Sequence, residues 1–90
     1  MVTYDEAKRR ANIKNHGLDF VGVEAIFDHP VVSQEDDRQA YGEQRINVLG
    51  LLDGQIVSMT CTERGDTLRV ISLRKATRHE ARYYTQALAR

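Results

Sequence analysis

The spacing of apolar residues changes character near residue 44: before it they recur at helical intervals, and after it they alternate or run together as in strands. Asp5 stands where an N-cap belongs for a helix through AKRRANIKN. Ala7, Ala11 and Lys14 fall on one side of it, and Gly17 is placed to end it in a left-handed turn. Asp19 is positioned to cap a second helix, in which Phe20, Val23, Ile26 and Phe27 recur at spacings of three and four until Asp28-His29-Pro30 stops it. The stretch VVSQEDDRQAYGE that follows reads as a short strand at best, then an acidic polar loop.

QRINVLGLL alternates imperfectly, Asp53-Gly54 is a strong two-residue hairpin signal, and QIVSMTCT is β-rich, so these segments are predicted to pair antiparallel. Arg64-Gly65-Asp66 supplies a second turn into TLRVISLR, whose apolar centre suits a strand covered on at least one face. A last helix from about Ala76 to Leu88 places Thr77, Ala81, Tyr84 and Leu88 on one stripe, and Lys75, Arg78, His79 and Arg82 on another. The expected architecture is an α+β domain with two N-terminal helices, an antiparallel meander of at least three strands and a C-terminal helix. A short strand before or between the first two helices is compatible with the pattern.

Ninety residues suffice for one core, so residues 1–90 are expected to form a single domain. One proline and six glycines argue against a long linker. No apolar run is long enough to cross a bilayer and the N-terminus lacks an apolar signal core, so a cytoplasmic protein without membrane contact is expected. The lone Cys61 excludes an internal disulfide and a CxxC zinc pair, and is read as a small core residue. His16, His29 and His79 are widely spaced, so neither a metal nor another cofactor is expected.

A formal net charge of zero hides an asymmetry. Residues 19–43 carry Asp19, Glu24, Asp28, Glu35, Asp36, Asp37 and Glu43 against Arg38, whereas residues 69–82 carry Arg69, Arg74, Lys75, Arg78 and Arg82 against Glu80. With Arg64 at a turn, Arg74 ending a strand and three more cations beginning a helix, this junction suits consecutive phosphates of a nucleic-acid backbone. A solvated helix face is the competing reading.

RNA carries its own nucleophile, the 2′-hydroxyl, so a site without metal cleaves it by four tasks: in-line positioning, proton removal, stabilisation of the phosphorane-like charge and protonation of the leaving oxygen. Arginine and lysine suit the third task. Glu80 and His79 are the nearby proton carriers, with Tyr83 a weaker one. Each has a structural reading beside it: Glu80 as the partner of an arginine on its own helix, His79 as an exposed residue, Tyr84 as a packed ring and His16 as a helix C-terminal residue.

The chain resembles the BrnT family of ribonuclease toxins over nearly its whole length. The resemblance rests on Tyr4-Asp5 with Lys8, Asn12 with Asn15-His16-Gly17, Phe20 with Ala25-Ile26-Phe27, and Gly42-Glu43-Gln44-Arg45 with Gly50. It continues through Thr62-Glu63-Arg64, Arg69-Val70-Ile71-Ser72, Arg74-Lys75-Ala76-Thr77, Glu80 and Tyr84. Tyr4 stands where the family usually has tryptophan and Asn15 where it has lysine, and His79 belongs to no family motif. The resemblance implies a RelE-like fold and a metal-independent endoribonuclease that inhibits translation. It also implies a cognate ribbon-helix-helix antitoxin, BrnA-like, through which alone the complex would reach operator DNA.

The expected catalytic residues are therefore Arg64, Arg74, Glu80 and His79, with Arg69, Lys75, Arg78, Arg82 and Tyr83 binding RNA. Arg74, Lys75, Arg78 and Arg82 are expected to meet the antitoxin. A reading of another class is a non-catalytic domain that grips an acidic protein with the same basic surface.

Overall fold

Asp53 and Gly54 both take positive φ, 51° and 78°, the geometry that a two-residue turn between twisted strands requires. They join β3 (Arg45–Leu52) to β4 (Gln55–Arg64), and a second two-residue turn, with Gly65 at φ 60°, leads from β4 into β5 (Thr67–Lys75). This is the expected meander. The computed structural model describes residues 1–36 and 43–89, so Asp37, Arg38 and Gly42 of the sequence reading lie outside the described residues.

Two further strands enlarge the sheet. β1 (Val2–Tyr4) runs parallel to β5, and β2 (Val32–Asp36) pairs antiparallel with β3, giving the order β1-β5-β4-β3-β2. The fold is thus α+β with a mixed five-stranded sheet, and Glu35 and Asp36, expected in a loop, sit in a strand.

One face of the sheet is apolar. Val48, Val57, Met59, Cys61, Val70 and Leu73 point to it and pack beneath Phe20, Val23 and Ile26. Gly50 shares this face, where an added Cβ would lie 2.5 Å from Cγ1 of Ile26, so only glycine lets that segment sit so close. Tyr4 meets Phe20 edge to face at 5.6 Å.

The segment carrying Val23 and Ile26 is not the second α-helix that its periodicity suggests. It is a 3-10 helix, Val23–Asp28, entered through Gly22 in the left-handed conformation, which breaks any helix started at Asp19. Asp19 instead accepts hydrogen bonds from the Val21 amide and from Arg9, and Phe27 is exposed. Among the described residues there is therefore one α-helix near each end.

α1 (Glu6–His16) begins at Asp5, whose carboxylate accepts from the amides of Ala7 and Lys8, and ends at left-handed Gly17, both as expected. Its expected apolar side is not used: Ala7 and Ala11 are exposed, and the residue it buries is Asn12. α2 (Arg78–Leu88) begins with a capping box in which Thr77 and Glu80 bond each other's backbone amides. Thr77 is accordingly a cap and not part of a packed stripe, and Leu88 is exposed. Tyr84 is buried and its hydroxyl donates to the Pro30 carbonyl at 2.7 Å, tying α2 to the chain just before β2.

Candidate functional site

Alternation along the strands puts a second set of side chains on the face opposite the core. In register these are Gln34 on β2, Asn47 and Leu49 on β3, Ser58, Thr60 and Thr62 on β4, and Arg69 and Arg74 on β5. The pattern is legible in β4, where Val57, Met59 and Cys61 alternate with Ser58, Thr60 and Thr62. α2 lies over one end of this face and leaves between them a cavity of about 310 Å³. Val32, Leu49, Ser58, Gln34 and Asn47 form its sheet side; His79, Glu80 and Tyr83 form its helix side. Helical spacing of four sets His79 and Tyr83 on one flank, with exposed Arg78 and Arg82 at the same spacing beside them.

Arg74 and Glu80 meet at the cavity's edge. The guanidinium donates to both carboxylate oxygens at 2.8 and 3.0 Å, a two-point fork, and Glu80 also accepts from the Thr77 amide at 2.9 Å. The Arg74 guanidinium, helped by the Thr77 amide, holds the Glu80 carboxyl down to about 2 from its ordinary 4.5. The same hydrogen bond raises Arg74. Glu80 is therefore paired as one reading expected, but with a strand arginine and not with one on its own helix.

The basic residues are not all gathered at one point. Arg64 lies opposite Thr67 at the β4–β5 turn, whereas Arg74 lies opposite Ser58, six positions away along β4. That is roughly 20 Å at about 3.3 Å per residue. The expectation of a single junction containing both is corrected by this register: residues close to each other in the list of cations are carried to opposite ends of a hairpin. Arg64 is bonded to Glu43 at 3.1 Å, and Arg69, near that end, stands 4.0 Å from Asp5. Lys75, Arg78, His79, Glu80, Arg82 and Tyr83 do assemble around Arg74. Among the described residues Lys75, Arg78 and Arg82 are exposed and have no ion-pair partner.

Sequence reasoning passed over Gln34, Asn47, Ser58 and Thr60, although the polar alternation in β4 was a signal for two of them. Thr60 donates to Asn47 Oδ1 at 2.8 Å across the β3–β4 ladder. Ser58 is only 3% exposed and lines the cavity. Cys61 belongs to the core, where burial pushes its thiol up, with Glu63 adding to the effect. Among the described residues no group of three or more His, Cys, Asp or Glu is placed to hold a metal ion. Among the described residues no helix is long and apolar enough to cross a membrane.

A family model described as the ribonuclease toxin, BrnT, of type II toxin–antitoxin systems matches residues 4–80. Among curated proteins none matches the chain. The family match runs from β1 to the first turn of α2, and so includes Arg64, Arg74, His79 and Glu80 but not Arg82 or Tyr83.

Proposed function

Since the chain belongs to the BrnT family of ribonuclease toxins of type II toxin–antitoxin systems, with RNA as substrate and an antitoxin as partner, we propose that it cleaves RNA on the open sheet face beside α2. The carrying observation is the Arg74–Glu80 fork at the edge of a cavity that also presents His79. Cleavage proceeds by 2′-hydroxyl attack without a metal: arginine binds the phosphate and stabilises the charge that develops on it, and side chains move the protons.

In the free protein Glu80 is a weak base, because Arg74 stabilises its charged form. A phosphate that takes over the Arg74 fork removes that stabilisation, and the carboxyl returns toward its ordinary range just as substrate arrives. Glu80 and His79 are the proton-transfer pair of this reading. Lys75, Arg78 and Arg82 hold flanking phosphates, and Arg69 and Arg64 extend the track toward the far end of the hairpin, Arg64 as a backbone clamp more distant than the catalytic role first assigned to it.

The reading extends to a RelE-like fold for one domain spanning residues 1–90, to a cytoplasmic setting, and to translation inhibition as the consequence of RNA cleavage. Neutralisation falls to a cognate BrnA-like ribbon-helix-helix antitoxin, through which operator DNA is reached. The test is cleavage of a defined RNA by the purified protein and by Arg74→Ala. Losing the charge at the phosphate lowers the rate by about 10²–10³, with folding checked by circular dichroism. A folded Arg74→Ala variant of full activity overturns the site.

A further inference from the structure

Beside the cleavage chemistry, the cavity under α2 has walls of a distinct kind. Among the described residues no lysine or arginine lines it, so its interior offers little to a phosphate, which meets Arg74 at the edge instead. Val32 and Leu49 supply an apolar surface, Tyr83 an aromatic ring that is 43% exposed, and Asn47, Gln34 and Ser58 polar groups. Its volume of about 310 Å³ lies at the small end for ligand sites, roughly 300–1,000 Å³. A flat, uncharged ring with a polar edge fits this combination, the ring stacking on Tyr83.

One of the polar groups has a preferred sense. Thr60 donates to Asn47 Oδ1 at 2.8 Å, which engages that oxygen and leaves the Nδ2 hydrogens of this cavity-lining residue without a protein acceptor among the described residues. Gln34 is exposed and free to turn either end of its amide, the Ser58 hydroxyl both donates and accepts, and His79 and Glu80 are occupied by the proton transfers of the proposed reaction, so none of these imposes a choice. Asn47 does. A fixed donor accepts a keto oxygen and rejects an exocyclic amine, which would face it donor to donor.

We propose that this cavity is a base-reading pocket that takes the nucleobase next to the scissile phosphate and selects a keto base, guanine or uracil, over adenine or cytosine. The inference rests on the ribonuclease reading above and adds a specificity-determining residue, Asn47, with Thr60 as the residue that orients it.

The test uses synthetic RNAs that carry one mapped cleavage site and differ only in the base flanking it, each side varied in turn, with kcat/KM measured for all four bases. The parent protein is expected to prefer guanine or uracil at one flanking position by about tenfold or more. Asn47→Asp keeps an oxygen for Thr60 but presents an acceptor to the cavity, so the preference inverts toward adenine and cytosine. Thr60→Val frees the Asn47 amide to rotate, so the preference flattens while cleavage persists; this second variant guards against misfolding of the first. A parent that cleaves with no preference, or variants that retain the parental one, overturn the pocket and leave the ribonuclease reading intact. A folded parent that cleaves none of these RNAs overturns that reading and the pocket with it.

Discussion

Asn12 on α1 takes the place of a strand beside Leu73: its side-chain amide donates to the Leu73 carbonyl at 2.7 Å and accepts from the Leu73 amide at 3.0 Å. β1 pairs with β5 only as far as Val70, so the outer edge of β5 would otherwise be bare at the residue before Arg74. A third bond, to the Leu18 carbonyl at 2.9 Å, fixes the chain leaving α1. Because α1 buries no apolar stripe, this one amide does much of its docking. Asn12→Ala would leave buried backbone groups without partners and should cost about 2–4 kcal/mol of stability. Urea denaturation of parent and variant measures it; a change within about 0.5 kcal/mol would show that water replaces the amide.

Glu80 supplies a pH-dependent contribution whose sign follows from its depressed carboxyl. The folded state holds it near 2 against an ordinary 4.5. The stabilisation is therefore fully present above about pH 4.5 and is lost as pH falls through about 2. Since the pair is partly exposed, solvent screening reduces its worth to about 1–2 kcal/mol. Glu80→Gln should be less stable than the parent by that amount at neutral pH, and the two should converge as pH approaches 2. Parallel denaturation curves with a constant gap across that range would refute the linkage.

Removal of metal should leave cleavage almost unchanged. In the proposed mechanism the nucleophile is the substrate's own 2′-hydroxyl, and the groups in and around the cavity are arginine, lysine, imidazole and one paired carboxylate. With protein pretreated with chelator and assayed in excess EDTA, products should carry 2′,3′-cyclic phosphate or 3′-phosphate ends. Strict dependence on magnesium with 5′-phosphate products would point instead to a metal-activated water.

Local signals in the chain read well because the physics behind them is local. Asp5 and Gly17 bound α1, Asp53-Gly54 turns the hairpin, and Cys61 is buried, each from chemistry within a few residues. The second helix was misread because the spacing of Phe20, Val23 and Ile26 serves a 3-10 turn equally well once Gly22 goes left-handed. β1 was legible only as a short strand compatible with the pattern, since a three-residue strand is defined by β5, more than sixty positions away. The site shows the same division. Residues 74–83 come together because they are consecutive, while Arg64 is separated from Arg74 by the register of a hairpin. Asn47 and Gln34 join the site from strands whose neighbours no local pattern names.

The proposal that the antitoxin covers this junction directly rests on which charges are already spent. Arg74 is engaged by Glu80, Arg64 by Glu43 and Arg9 by Glu6 and Asp19, whereas among the described residues Lys75, Arg78 and Arg82 are exposed and unpaired. An acidic segment of the antitoxin laid over these three would block the phosphate track and the mouth of the cavity together. Exposed charges of this kind act on encounter more than on the final complex, and their reach shrinks with the Debye length, from about 14 Å to about 4 Å between 50 and 500 mM salt. The association rate should therefore fall as salt rises over that range, with the dissociation rate changing little. A Lys75→Ala, Arg78→Ala double variant should associate more slowly at low salt, show a flatter salt dependence, and meet the parent's rate at high salt. Rates and salt slopes equal to the parent's would place the antitoxin on another surface, because two of this junction's three unpaired cations cannot be removed from a directly covered face without changing how the partner is drawn to it.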